Sequence, residues 1–116
     1  MASWLSRVLR GRSTLIQGTG KLPEGQATCV DIGDPLAGGT SIVLARTGGK
    51  LYALDRRCPH EGGRMAGGPL VDGKYVLCPL HNYRFDPATG KAAGPPCPDA
   101  RTYKLREKDG DCEVWA

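Results

Sequence analysis

Cys58-Pro59-His60, then seventeen residues, then Cys78-Pro79-Leu80-His81: the reading of this 116-residue chain turns on that stretch. Each short pair offers one thiolate and one imidazole, and the two pairs use both histidines and two of the five cysteines. Cys58 and His60, two residues apart, reach a common centre only from a tightly folded loop. Pro59 fixes φ between them, and Gly62 and Gly63 open backbone conformations closed to other residues. Cys78 stands where a β-like run ends in a turn, again with a proline directly after it, and Leu80 is placed as an apolar lid. Two such loops can clamp a metal centre from opposite sides.

A mononuclear Cys₂His₂ zinc site uses the same ligand types. Zinc-finger patterns usually pair like with like, as two cysteines followed by two histidines, whereas each pair here mixes the types. A structural zinc module, a redox centre and two ordinary metal-free loops are the readings the spacing leaves open.

From Leu51 to Gly90 most sharply, and over roughly Gln26 to Trp115, the chain resembles the Rieske family. Cys-Pro-His, Cys-Pro-Leu-His, the following Tyr83-Arg84-Phe85-Asp86 and the Thr89-Gly90 turn are similar to those of Rieske ferredoxins and of cluster-bearing relatives of the nitrite reductase small subunit. The resemblance implies an all-β fold, a Rieske-type antiparallel β-sandwich with a small two-loop cluster-binding subdomain at about 56–86. It implies one [2Fe-2S] cluster, with Cys58 and Cys78 on one iron and His60 and His81 on the other. Gly94-Pro95-Pro96 resembles the proline-containing loop that covers the cluster; its plainer reading is a surface turn.

Replacing two thiolates by neutral imidazoles takes the oxidised centre from a formal charge of about −2 to about neutral, so an incoming electron meets less repulsion and the potential rises. Three features depart from the respiratory, quinol-oxidising branch that the resemblance brings to mind. Gly63 and Leu80 occupy the positions of its extra disulfide cysteines, and Tyr83 and Phe85 align with hydroxyls that donate to cluster sulfur. Phe85 cannot donate. The expected potential is therefore at the low end of the Rieske window, below about 0 mV. If the free ring nitrogens of His60 and His81 are exposed, the potential should be flat near neutrality and fall in alkali.

Composition agrees with a small β domain. Gly and Pro together number 26 of 116 residues, too much punctuation for a helical bundle, while the length suits one domain. No apolar run approaches the ~20 residues that a helix needs to cross a bilayer. The net charge of +4 is modest and its lysines and arginines are scattered, which argues against a nucleic-acid surface. Arg56, Arg57, Arg64 and Arg84 do lie within a few residues of a proposed ligand. They form either a solvated rim or a patch that steers an acidic partner.

Five cysteines make an odd number for a disulfide framework. Cys29 and Cys112 sit in strand-like runs as small buried hydrophobes, and Cys97, between prolines, reads as a loop residue. Such thiols favour a reducing compartment, and the chain reads as cytoplasmic. Residues 1–20 form a basic, acid-free arm with Arg7, Arg10 and Arg12. Trp4, Leu5, Val8 and Leu9 could share one face of a short helix, although an organelle transit peptide has a similar composition.

Beyond the arm, residues 21–116 read as the Rieske domain. Ala27–Ile32, Thr40–Thr47 and Lys50–Asp55 are β-like, with Arg46-Thr47-Gly48-Gly49 as a hairpin turn. Asp72-Gly73 turns the chain into Lys74–Cys78, Pro87–Gly90 is a turn by composition, and Arg101–Glu107 with Cys112–Trp115 makes a terminal hairpin about Asp109-Gly110. The function implied is a one-electron carrier between redox proteins, from a flavin-containing reductase to a Rieske-type oxygenase. The alternative is a permanent small subunit beside the large subunit of an NAD(P)H nitrite reductase-like complex. With both histidines committed, no 2-His-1-carboxylate iron site can be built from this chain, which is not a complete enzyme.

Overall fold

The computed structural model describes residues 13–33, 35–59, 63–80, 82–94 and 96–116. Its strands are β1 (Ser13–Ile16), β2 (Gln26–Ile32), β3 (Thr40–Thr47), β4 (Lys50–Asp55), β5 (Gly68–Pro69), β6 (Val76–Cys78), β7 (Tyr83–Phe85), β8 (Ala92–Ala93), β9 (Thr102–Lys108) and β10 (Asp111–Trp115). Seven of them form one curled antiparallel sheet in the order β1-β10-β9-β4-β3-β2-β5, and β6-β7-β8 form a second, smaller one. The described residues contain two single 3₁₀ turns and no α-helix, and none of their helices is long and apolar enough to cross a membrane.

The tight turns follow from glycine and aspartate placed where φ must be positive. Gly48 (φ 63°) and Gly49 (φ 79°) join β3 to β4, and Asp109 (φ 53°) and Gly110 (φ 81°) join β9 to β10. Two consecutive left-handed residues match the twist of a two-residue hairpin. The carboxylate of Glu24 fastens the first of these turns by accepting the N–H groups of Gly48 (2.7 Å) and Gly49 (2.8 Å).

The continuous apolar run Ile42-Val43-Leu44-Ala45 in β3 is buried on both faces, as such a run predicts. Val43 and Ala45 join Leu54, Cys58, Met65, Val76, Cys78 and Phe85 in one core. Ile42 and Leu44 join Leu51, Ala53, Cys112 and Val114 in another. The alternation of a β-strand thus makes β3 the wall between two apolar compartments.

The sheet starts earlier than the sequence indicates. Ser13–Ile16, assigned above to the basic arm and its short helix, is instead a strand paired with β10 in the register Ser13↔Trp115 to Ile16↔Cys112. Ser13 Oγ also donates to Glu113 Oε2 at 2.8 Å. Residues 1–12 of the arm, with Trp4, Leu5, Val8 and Leu9, lie outside the described residues. The strand expected over Lys74–Cys78 is shorter, because Asp72 and Gly73 fold Val71 and Tyr75 into a single bridge before β6 begins.

Candidate metal centre

The two cysteine loops are built by different means and lie side by side. β4 ends at Asp55, whose Oδ1 accepts the Arg57 N–H at 2.8 Å and whose Oδ2 accepts the Tyr103 hydroxyl at 3.0 Å. Arg57 and Arg64 then pair as an antiparallel bridge, and the Cys58 N–H donates to the Gly63 carbonyl at 2.6 Å. The first loop is therefore closed at its base. The second is the connection from β6 to β7, closed by the pair Cys78↔Tyr83. An N–H from Ala66 to the Leu77 carbonyl (2.8 Å) ties the exit of the first loop to β6.

Cys58 and Cys78 end up in the same core, each 1% exposed, among Met65, Val76 and Phe85. Leu80 stands at the other extreme, half exposed beyond them. Gly63 faces Cys78 so closely that an added Cβ would meet its Sγ at 2.8 Å, and Cβ and Cδ2 of Leu80 at 3.1 Å each. The reason for glycine here differs from that read in the sequence. Gly63 is not among the residues with positive φ; what the position requires is empty space.

Of the other expected site residues, Tyr83 is half-buried and packs against the core of the two thiols, and Phe85 lies wholly inside it. Pro96 is exposed, whereas the adjoining Cys97 packs against the same core. Burial, then the charges of Cys78 and Asp99, push the Cys97 thiol up, which disfavours a reactive thiolate. His60, Gly62, His81 and Pro95 lie outside the described residues. Among the described residues no three metal-ligating side chains converge, so their contribution is the two thiols. Met65 and Cys97 were not anticipated as neighbours of those thiols; an isolated methionine in a Gly-rich segment was the available signal for the first.

Of the four arginines near the ligands, two are committed. Arg84 places its guanidinium 5.9 Å from the centroid of the Tyr75 ring, and Arg56 Nε donates to the Met65 carbonyl at 3.4 Å. Cys29 packs against the same core from β2, its Sγ 4.0 Å from the Met65 carbonyl, and Cys112 is buried in the second compartment. Cys112 is the small buried hydrophobe that its strand implies, whereas Cys29 is only partly buried.

Two soft thiols brought out of water on adjoining loops, with a backbone position that tolerates no Cβ beside one of them, fit an iron–sulfur centre better than an exposed hard-cation site. The profile of the Rieske [2Fe-2S] domain matches residues 14–106, and this chain belongs to that family, which carries one [2Fe-2S] cluster. Among its relatives, the ferredoxin component of the naphthalene 1,2-dioxygenase/salicylate 5-hydroxylase systems of Ralstonia sp is 37% identical over 86 residues, 73% of this chain and 77% of that one. The ferredoxin component of the naphthalene 1,2-dioxygenase system of Pseudomonas aeruginosa is 33% identical over 87 residues, 74% of this chain and 78% of the relative. In fold, the ferredoxin of carbazole 1,9a-dioxygenase from Nocardioides aromaticivorans IC177 superposes with a TM-score of 0.74 at 24% identity, over 90% of this chain and 97% of the other. A nitrite reductase small subunit from Mycobacterium tuberculosis shares the fold with a TM-score of 0.64 at 21% identity, over 88% and 92%.

Proposed function

We propose that this chain is a one-electron carrier that takes electrons from a flavin-containing reductase and delivers them to a Rieske-type oxygenase, its cluster held by Cys58, His60, Cys78 and His81. The observation that carries the ligand set is the burial of Cys58 and Cys78 in one core on two loops tied side by side, each loop with a histidine two or three residues further along. Relatives at 33–37% identity that are ferredoxin components of dioxygenase systems support the carrier role. Once bound, a cluster of this type takes up and returns one electron between about −150 and +300 mV.

The chain's own residues set the conditions for that exchange. Phe85 and Met65, both fully buried, keep water from the sulfur side. Asp55 accepts one hydrogen bond from the first loop and one from β9, so the loop is anchored to the large sheet. Phe85 has no hydroxyl to offer a sulfur, and we place the potential below about 0 mV. The five cysteines form no disulfide, which suits a reducing compartment, and we place the protein in the cytoplasm.

The test is EPR of the dithionite-reduced protein with iron and sulfide analysis and a potential titration. A rhombic signal of low average g, two irons and two sulfides per chain, and a potential below about 0 mV are expected. Zinc without sulfide overturns the carrier, and a potential near +300 mV overturns the branch. Stable co-purification with a catalytic chain would make the protein a subunit instead.

A further inference from the structure

We propose that Arg57 and Arg64 form a basic docking rim beside the metal centre and that the protein surface they recognise is acidic. The inference rests on the electron-carrier reading above and names the kind of partner that reading needs.

Arg57 immediately precedes Cys58 and Arg64 immediately follows Gly63, and the two are Cα partners in the bridge that closes the first loop. Like charges directly opposite one another destabilise a strand pair. Both side chains are exposed, and neither takes part in an ion pair with the described residues, where the pairs are Arg46 with Glu107 and Arg106 with Glu113. Asp55 is the carboxylate beside Arg57. Its two oxygens accept the Arg57 backbone N–H and the Tyr103 hydroxyl, so its single charge offsets only part of the charge of the pair. From Arg56 to Arg64 the chain carries three arginines against the single Glu61, which lies outside the described residues. Among the described residues no carboxylate forms an ion pair with either arginine, and an approaching anionic surface would supply that countercharge.

The position of the pair strengthens the case. Gly63, next to Arg64, faces Leu80, since its missing Cβ would stand 3.1 Å from Leu80 Cβ. Leu80 is half exposed, and Pro79 beside it is exposed too. An apolar centre with a charged edge is the anatomy of a protein interface, and a small one suits an electron carrier that must leave as readily as it arrives. Charges at such an edge act on the encounter rate and fade with salt.

The experiment uses the cluster-loaded, reduced protein and follows its oxidation by stopped flow with ferricyanide (an anion) and tris-phenanthroline cobalt(III) (a cation), with and without poly-L-glutamate. At low salt, R57Q/R64Q should slow the ferricyanide reaction about tenfold and speed the cobalt reaction. Poly-L-glutamate should slow the wild-type ferricyanide reaction and leave the variant unaffected, both differences should vanish at high salt, and R57K/R64K should restore wild-type behaviour. Equal rates for wild type and variant, or a difference that persists at high salt, overturn the proposal. The two failures are separable: a missing EPR signal in the wild type sinks the carrier reading, whereas intact signals with unmoved rate ratios sink only the docking rim.

Discussion

The Cβ that Gly63 lacks would stand 2.8 Å from the Sγ of Cys78, closer than real Cβ atoms come to a neighbour. Cys78 is 1% exposed and its Sγ is two bonds from the main-chain Cα, so the sulfur can yield only by leaving the place from which it would hold iron. Gly63→Ala should therefore cost about 1–3 kcal/mol through overpacking and lower the iron and sulfide content per chain. Metal analysis with thermal denaturation checks it; full iron loading at wild-type stability would show that the loops are looser than they stand here.

The cysteines should divide sharply by compartment. Cys58→Ser or Cys78→Ser should abolish the visible chromophore, because a hydroxyl is a poor replacement for a soft thiolate. Cys112→Ala should keep it, at a stability cost of roughly 1–2 kcal/mol for the small cavity left between Ile42, Leu44 and Val114. Absorption spectra of the purified variants decide. Loss of colour in Cys112→Ala would mean that the two compartments are coupled.

Tyr103 should make stability fall in alkali. Burial, then the charge of Asp55 and the hydrogen bond to it, hold the phenol above its ordinary value, against a smaller opposing pull from Arg101 and Arg57. The folded chain keeps this proton to higher pH than the unfolded chain does. The stabilisation is therefore complete below about pH 10 and is lost as pH rises through the raised folded value. Urea midpoints measured across that range should drop less steeply for Tyr103→Phe than for the wild type.

Gly90 is constrained twice. Its φ is 78°, and a Cβ there would run into the carbonyl oxygen of Ala100. The same approach lets the Ala100 N–H donate to the Gly90 carbonyl at 2.7 Å, which fastens the turn between β7 and β8 to the segment entering β9. Gly90→Ala should destabilise by more than about 1 kcal/mol, the ordinary cost of a wrong backbone at such a site, and the effect should appear as a lowered melting temperature. A Gly90→Ala protein that melts with the wild type would place this turn free of the sheet.

What could be read from the sequence was what local chemistry marks. Gly48-Gly49 and Asp109-Gly110 announce hairpins because few other residues take two positive φ values in succession, and Thr40–Thr47 announces a strand, though not that its centre, Ile42–Ala45, is buried on both sides. Ser13–Ile16 carries no such mark: four residues after a run of arginines become a strand only because β10, nearly the whole chain away, offers an edge. β5 and β8, two residues each, are too short for any periodicity. At the site, the two short pairs announced that Cys58 and Cys78 approach one another, whereas Leu80, read as a lid, stands half exposed. The need for empty space at Gly63 was not, since it arises from how two separate loops meet, and the burial of Met65 and Cys97 arises the same way.

The partition that β3 makes through the interior bears on how this molecule would age. Both thiols are rooted in the chamber with Phe85 and Met65, while Cys112, Val114 and Leu51 fill the other. If Cys58 and Cys78 hold the cluster as proposed, its loss would bear first on their own chamber, since the other contains neither thiol. The compartment of Ile42, Leu44, Leu51 and Val114 would then keep the large sheet together while the two loops are reset.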